Sequence, residues 1–267
     1  MNKEVNLHYK NPNISQTTLV QKPRGMKTTR TNTTGIISAV LITLLVIVSC
    51  NVIGEIGSGN VVKEERKVSS FNAIEVSGAF DVELVQGTAI AVTVEADDNL
   101  MDLIRTEVRG NTLVIENKKP IAHSKSLKVY ITFTELKSID VSGAVKIESV
   151  GKFNLTDLSI SGSGASDGKL DMDVQKLKID CSGGGKLKLS GSAKDVEVDA
   201  SGAVDLYAFD FPAENYKLDI SGAGKAEINV SKELNVEISG AASVHYKGNP
   251  VKNVQDISGA GSVKKVD

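Results

Sequence analysis

A Ser-Gly pair that returns at nearly constant spacing, always in the same setting, governs what this chain can fold into. The pairs Ser142-Gly143, Ser161-Gly162, Ser182-Gly183, Ser201-Gly202, Ser221-Gly222, Ser239-Gly240 and Ser258-Gly259 stand 19, 21, 19, 20, 18 and 19 residues apart. Ser77-Gly78 is an earlier copy in the N-terminal half. Mostly apolar residues lie one and three positions before each serine, as in Ile139 and Val141, Ile179 and Cys181, Leu218 and Ile220, and Val236 and Ile238. A polar residue separates them. This alternation marks a strand with one buried face. It resumes after the turn, as in Lys186-Leu187-Lys188-Leu189.

Each unit of about 19 residues therefore holds two short strands and two turns. One unit cannot bury its apolar face alone, whereas stacked units bury it jointly. The pattern predicts an all-β fold in which residues 139–267 form a parallel β-solenoid, a β-helix or β-roll, of about seven coils. At roughly 4.8 Å per strand spacing such a rod is about 30 Å long. An antiparallel sandwich is the alternative, but it gives no reason for outward residues to repeat. The 24 glycines, the absence of Trp and the 4% aromatic content fit many turns around a thin aliphatic core.

Residues 61–138 are less regular and read as a β-rich N-terminal part sharing that core. Strands are expected at 79–85, 91–95, 104–108, 112–115 and 127–133, with a hairpin-like turn at Arg109-Gly110-Asn111. Asp97-Asp98-Asn99 offers an N-cap for a short helix over 100–105.

The start of the chain reads as an address. Six bases and one acid accompany an uncharged run, Gly35 to Ser49, that ends at Cys50. Basic region, apolar region and small residue describe a secretory signal over residues 1–49. The Ile47-Val48-Ser49-Cys50 end resembles a bacterial lipobox, which makes Cys50 the expected lipid-attachment residue. Met26 opens a signal of more usual length and is a second candidate start. Residues 50–60 then read as a flexible Gly-rich tether. The expected location is the cell envelope, as an outer-membrane lipoprotein facing the periplasm or the outside.

Charge narrows the partners. The whole chain carries −2, but without residues 1–50 it has 25 bases and 32 acids, a net of −7. An acidic chain is a poor fit to nucleic acid. Beyond Cys50 the only other cysteine is Cys181, at an inward strand position, where a small core residue is expected. His123 and His245 have no second ligand at metal spacing. No cofactor is implied and no catalytic cluster stands out.

The sharpest non-structural feature is an acid two residues before most serines: Asp140, Asp180, Asp199, Asp219, Glu237 and Asp256, with Glu75 in the N-terminal copy. Stacking would set these in a row about 5 Å apart. That spacing suggests either a cation-binding stripe or a solvated outer face relieved by bases such as Lys178 and Lys217. The G-G-x-G-x-D calcium-roll motif is not met, because Gly183-Gly184-Gly185 is followed by Lys186-Leu187-Lys188. Tyr207, Phe209, Phe211, Tyr216 and Tyr246 form a local aromatic enrichment that either packs on a partner or fills the core.

The stretches SSFNAIEVSGAFDVELVQG and VEADDNLMDLIRTEVRGNTLVIEN, followed by the Ser-Gly-Ala ladder, resemble the head-domain family of auto-transporter adhesins, the head GIN domain. The likeness covers roughly residues 61–260. It implies a β-helical fold, no recognised catalytic residues, and an adhesive role. The resulting expectation is a lipid-anchored, non-enzymatic envelope protein that binds a glycan or protein. A self-assembling scaffold, with a homo-oligomer as partner, is the rival, and a polysaccharide-active enzyme comes third.

Overall fold

The computed structural model describes residues 54–267. The signal expected over 1–49 and the lipid attachment expected at Cys50 lie outside them. Fourteen strands appear in chain order: β1 (Glu55–Ile56), β2 (Val61–Arg66), β3 (Ala73–Gly78), β4 (Asp81–Gln86), β5 (Ala91–Asp97), β6 (Ile104–Arg109), β7 (Thr112–Asn117), β8 (Ile121–His123), β9 (Leu127–Phe133), β10 (Ser138–Gly143), β11 (Lys146–Ser149), β12 (Phe153–Lys247), β13 (Lys252–Gly259) and β14 (Ser262–Lys265). A 3-10 helix, Asp98–Leu103, is the one helical element among the described residues. No helix there is long and apolar enough to cross a membrane.

The fold is all-β, built on one large mixed sheet. Its strand order is β2-β5-β9-β4-β11-β12-β10-β3-β7-β6, with β13 and β14 added on β12. The sheet is mixed because at the less regular N-terminal end β2–β5, β5–β9 and β6–β7 are antiparallel, the last pair as the turn expected at Arg109-Gly110-Asn111 requires. The short hairpin turn at Gly110, with φ of 62°, forces that reversal at β6–β7. The other pairings between these strands are parallel, and the Ser-Gly repeat sets the register of those that carry it. Ser77-Gly78 of β3 lies beside Ser142-Gly143 of β10, and Ser239-Gly240 lies beside Ser258-Gly259 of β13. β3 and β4, on the less regular side of the sequence, thus belong to the same ladder as β10 and β11.

β12 runs for 95 residues without losing its ladder bonds. As one straight strand it would be roughly 300 Å long. It instead winds, so that residues 18–20 apart in sequence become neighbours: Ser192 donates to Asp173, Lys217 pairs with Glu197, and Lys232 pairs with Glu214. Alternation puts aliphatic residues inside on each pass. A single buried core runs from Phe71 to Tyr246 through both halves of the domain.

Glycine determines how closely passes stack. Gly143, Gly164, Gly183, Gly202, Gly222, Gly240 and Gly259 all have φ between 93° and 151°. A Cβ on any of them would strike the carbonyl oxygen of the preceding glycine in the row, at 2.5 Å in the case of Gly164. A side chain here is barred both by backbone conformation and by the neighbouring pass.

This row also corrects the phase of one repeat. Ser142-Gly143 pairs with Ser163-Gly164, not with Ser161-Gly162. The sequence SISGSG offers two Ser-Gly pairs two residues apart, and a period-two alternation fits both equally. Gly164 is the one at positive φ, and Ile160 then falls beside Ile139.

The tether expected over 50–60 is also different. Glu55–Ile56 pairs in parallel with Ile121–His123, and Gly57 donates its N–H to the His123 carbonyl at 2.8 Å.

Candidate functional site

The acidic row falls on outward strand positions, with one interruption. Asp140 lies beside Glu75 on one side and beside Ser161 on the other, and Glu237 lies beside Asp256. The corrected phase puts Ser161 in the row, which separates Asp140 from Asp180. The adjacent row supplies the countercharge. Lys217 reaches Glu197 at 2.9 Å, and its pKa is raised first by that hydrogen bond, with Asp219 and Asp199 adding to the effect. Among the described residues no three acids, histidines or cysteines converge as metal ligands. The row faces outward, with lysines alongside it.

The aromatic enrichment divides in two. Phe211 and Tyr216 are buried, with the Tyr216 hydroxyl donating to the Phe211 carbonyl at 3.0 Å; Tyr246 is also nearly enclosed. Burial pushes the Tyr216 phenol far above its ordinary range. Tyr207 and Phe209 alternate with buried Leu206 and Ala208, so they face outward and are half-buried. Lys225 lies 5.9 Å from the Tyr207 ring centroid and Lys247 lies 4.7 Å from that of Phe209. Lys225 also pairs with Glu227, and its backbone N–H donates to Asp205 at 3.1 Å. Asn229 reaches the Phe209 carbonyl. Two aromatic rings, two lysines, two acids and an amide thus share one outward patch. Such a patch can stack on an apolar face of a ligand and hydrogen-bond its edge.

Cys181 is half-buried beside an apolar cavity of 60 Å³ lined by Val141, Ile147, Ile160, Leu170 and Leu187. The cavity lies where Gly162 and Gly168 fall on inward positions. Burial, with some help from Asp180, pushes the Cys181 thiol up, so it stays protonated and unreactive at neutral pH. His123 is exposed on β8, and His245 is half-buried on β12.

The strongest polar constellation was not legible as one. Asp97 is the one buried charged side chain among the described residues. It stands at the N-cap position of the short helix, as expected, but its side chain makes no capping hydrogen bond. Its carboxylate accepts backbone N–H groups from Gly59 at 2.5 Å, Lys125 at 2.8 Å and Ser126 at 3.5 Å. Burial alone would raise its pKa, but the N–H donors of Lys125, Gly59 and Ser126 outweigh it and hold the carboxyl below the usual range. Asp98 accepts from Ser58 and Asn60, and Asn99 bonds both Ser58 and the Ile56 carbonyl. Three consecutive residues therefore clamp residues 56–60 to the domain. The Asp-Asp-Asn run was the available signal, and it was equally compatible with a helix cap.

Comparison places this architecture. A family model described as "Putative auto-transporter adhesin, head GIN domain" matches residues 70–250. A solved structure described as a "putative adhesin" from Bacteroides fragilis NCTC 9343 is similar with a TM-score of 0.75 at 24% identity, covering 80% of this chain and 100% of that one. A second, from Parabacteroides merdae ATCC 43184 and described in the same words, gives 0.63 at 22%, covering 80% and 99%. A "putative lipid binding protein" from Parabacteroides distasonis ATCC 8503 gives 0.58 at 26%, again covering 80% and 99%. No curated protein matches the chain.

Proposed function

The chain belongs to the auto-transporter adhesin head GIN domain family, and from that premise we propose that it is a non-enzymatic adhesive protein of the cell envelope. Its ligand is a glycan or protein surface, engaged by the Tyr207–Phe209 patch. The observation that carries this reading is the outward pair of half-buried rings with Lys225 and Lys247 on their faces. Binding arrays of glycans and matrix proteins test it. The wild-type protein binds a ligand and the Tyr207→Ala/Phe209→Ala variant loses at least about tenfold in affinity, as loss of stacking worth about 1.4 kcal/mol requires. Binding that survives the double substitution moves the site elsewhere, and uniformly blank arrays remove the adhesive reading.

The same reading takes residues 139–267 as a parallel solenoid of about seven coils, supported by the glycine row and the 18–21-residue offsets between neighbours. It takes the protein to be anchored by a lipid on Cys50 in the outer membrane. Fatty-acid labelling that persists in a Cys50→Ala variant removes the anchor, and resistance to protease on intact cells places the domain on the periplasmic side. One structural relative is described as lipid binding. The apolar cavity beside Cys181, at 60 Å³, is small beside the roughly 300–1,000 Å³ of ordinary ligand pockets, which disfavours a lipid inside it. A self-assembling scaffold is the second reading, favoured by the edge of β13 that no described strand pairs.

A further inference from the structure

Five large hydrophobic side chains are well exposed among the described residues, and Val251, Val254 and Ile257 are three of them, at 93%, 46% and 40%. They cluster on β13 and the residue just before it. β13 pairs with β12 on one side, and no described strand pairs with the other. The end of the core is closed there by polar residues. Asn253 lies beside Leu234 and Gln255 beside Val236, so amides stand where the preceding pass has buried aliphatics. Gln255 donates to Asn253 at 2.9 Å, and Asn253 bonds the Tyr246 hydroxyl at 3.1 Å. The core therefore needs no further pass, yet an unpaired strand edge with exposed Val254 and Ile257 remains. Proteins normally protect such edges.

We propose that this edge is the contact surface for a second copy of the chain, with the two β13 strands antiparallel about a two-fold axis at Val254. The sequence is self-complementary in that register. Lys252 faces Asp256 of the second copy, Val251 faces Ile257, Asn253 faces Gln255, and Val254 faces its own equivalent. Both opposite-charge pairs form at once, and every pair joins residues of like polarity or opposite charge. Neighbouring registers lose this. Centring on Gln255 sets Val254 against Asp256, and centring on Asn253 sets Val251 against Gln255.

Charge on the page agrees. Asp256 has no ion-pair partner among the described residues, while Lys252 is held in place by Glu233 at 2.6 Å. Opposite charges directly across a strand pair are favourable and like charges are not. The neighbouring edge of β14 carries exposed Lys264 and Lys265 and stays outside the contact. An isologous contact uses the same edge in both copies, so the assembly closes at two rather than growing.

The full chain tests this by disulfide trapping. In a Val254→Cys variant the new thiols meet at the axis, and mild oxidation yields a covalent dimer on a non-reducing gel. A Gln255→Cys variant shares the native cysteines but faces Asn253, and it traps at least about tenfold less. Equal trapping of the two overturns the register, and no trapping of either overturns the contact. Adding Asp256→Lys to Val254→Cys sets like charges opposite and abolishes the dimer; trapping that survives overturns the charge pairing. Co-expression of that chain with one carrying Lys252→Glu and Val254→Cys restores a mixed dimer; failure to restore it also overturns the pairing. All four positions are exposed, and circular dichroism confirms that the variants fold. The result is independent of ligand binding, so failure of the adhesive reading leaves it standing and its failure leaves that reading intact.

Discussion

Asp97 Oδ1 accepts the backbone N–H of Gly59 at 2.5 Å, across 38 residues of sequence. That bond, with those from Lys125 and Ser126 to Oδ2, ties the first described segment to the domain. If a lipid on Cys50 anchors the chain, the β1–β8 pairing and then this clamp are where force from the membrane enters the fold.

Gly57 leaves the space the Asp97 carboxylate occupies: a Cβ there would lie 2.5 Å from Asp97 Cγ. Gly57→Ala is expected to cost about 1–3 kcal/mol through overpacking. The loss is expected locally, as faster limited proteolysis within 54–60 while the core of β12 stays protected.

Acid should release the same clamp. The folded pKa of Asp97 is depressed, so its contribution is fully present above the ordinary value of about 3.9 and is lost as pH falls through the lower folded value. Thermal melts between pH 6 and about 2 should fall in that window, and Asp97→Asn should flatten the dependence. An unchanged slope in the variant would assign the acid sensitivity to other carboxylates.

Gly183, stacked on Gly164, and Gly162, two residues before Gly164, separate conformation from volume. Gly183 has φ of 132° and its Cβ would strike the Gly164 carbonyl, so Gly183→Ala should destabilise by about 2–4 kcal/mol. Gly162 has no such φ, and its Cβ would sit 3.5 Å from Cys181 Sγ and 3.8 Å from Val141 Cγ2, at the apolar cavity. Gly162→Ala should stabilise by about 0.4–1 kcal/mol, read by urea denaturation.

Cys181 should label slowly. Its thiol is pushed up by burial, so disulfide-exchange reagents at pH 8 should react at least about tenfold more slowly than with a free cysteine. Guanidinium should abolish the difference.

The Ser-Gly spacing, the alternation around Ile139-Asp140-Val141, and the turn at Gly110 were legible from sequence because each depends on neighbours a few residues away. They determine strands, turns, the buried side of each strand and the approximate pitch of the winding. The phase at Ser161 against Ser163 was not legible. Both choices keep the same residues inside, and only stacking of Gly164 under Gly143 discriminates them. The sequence likewise marked Tyr207, Phe209, Phe211, Tyr216 and Tyr246 as a group, but not which rings face out. The role of Asp97 was invisible for the same reason: its three donors come from residues 59, 125 and 126, which only the folded chain brings together. Local chemistry wrote the repeat, while close approach between distant segments decided register, clamp and exposed face.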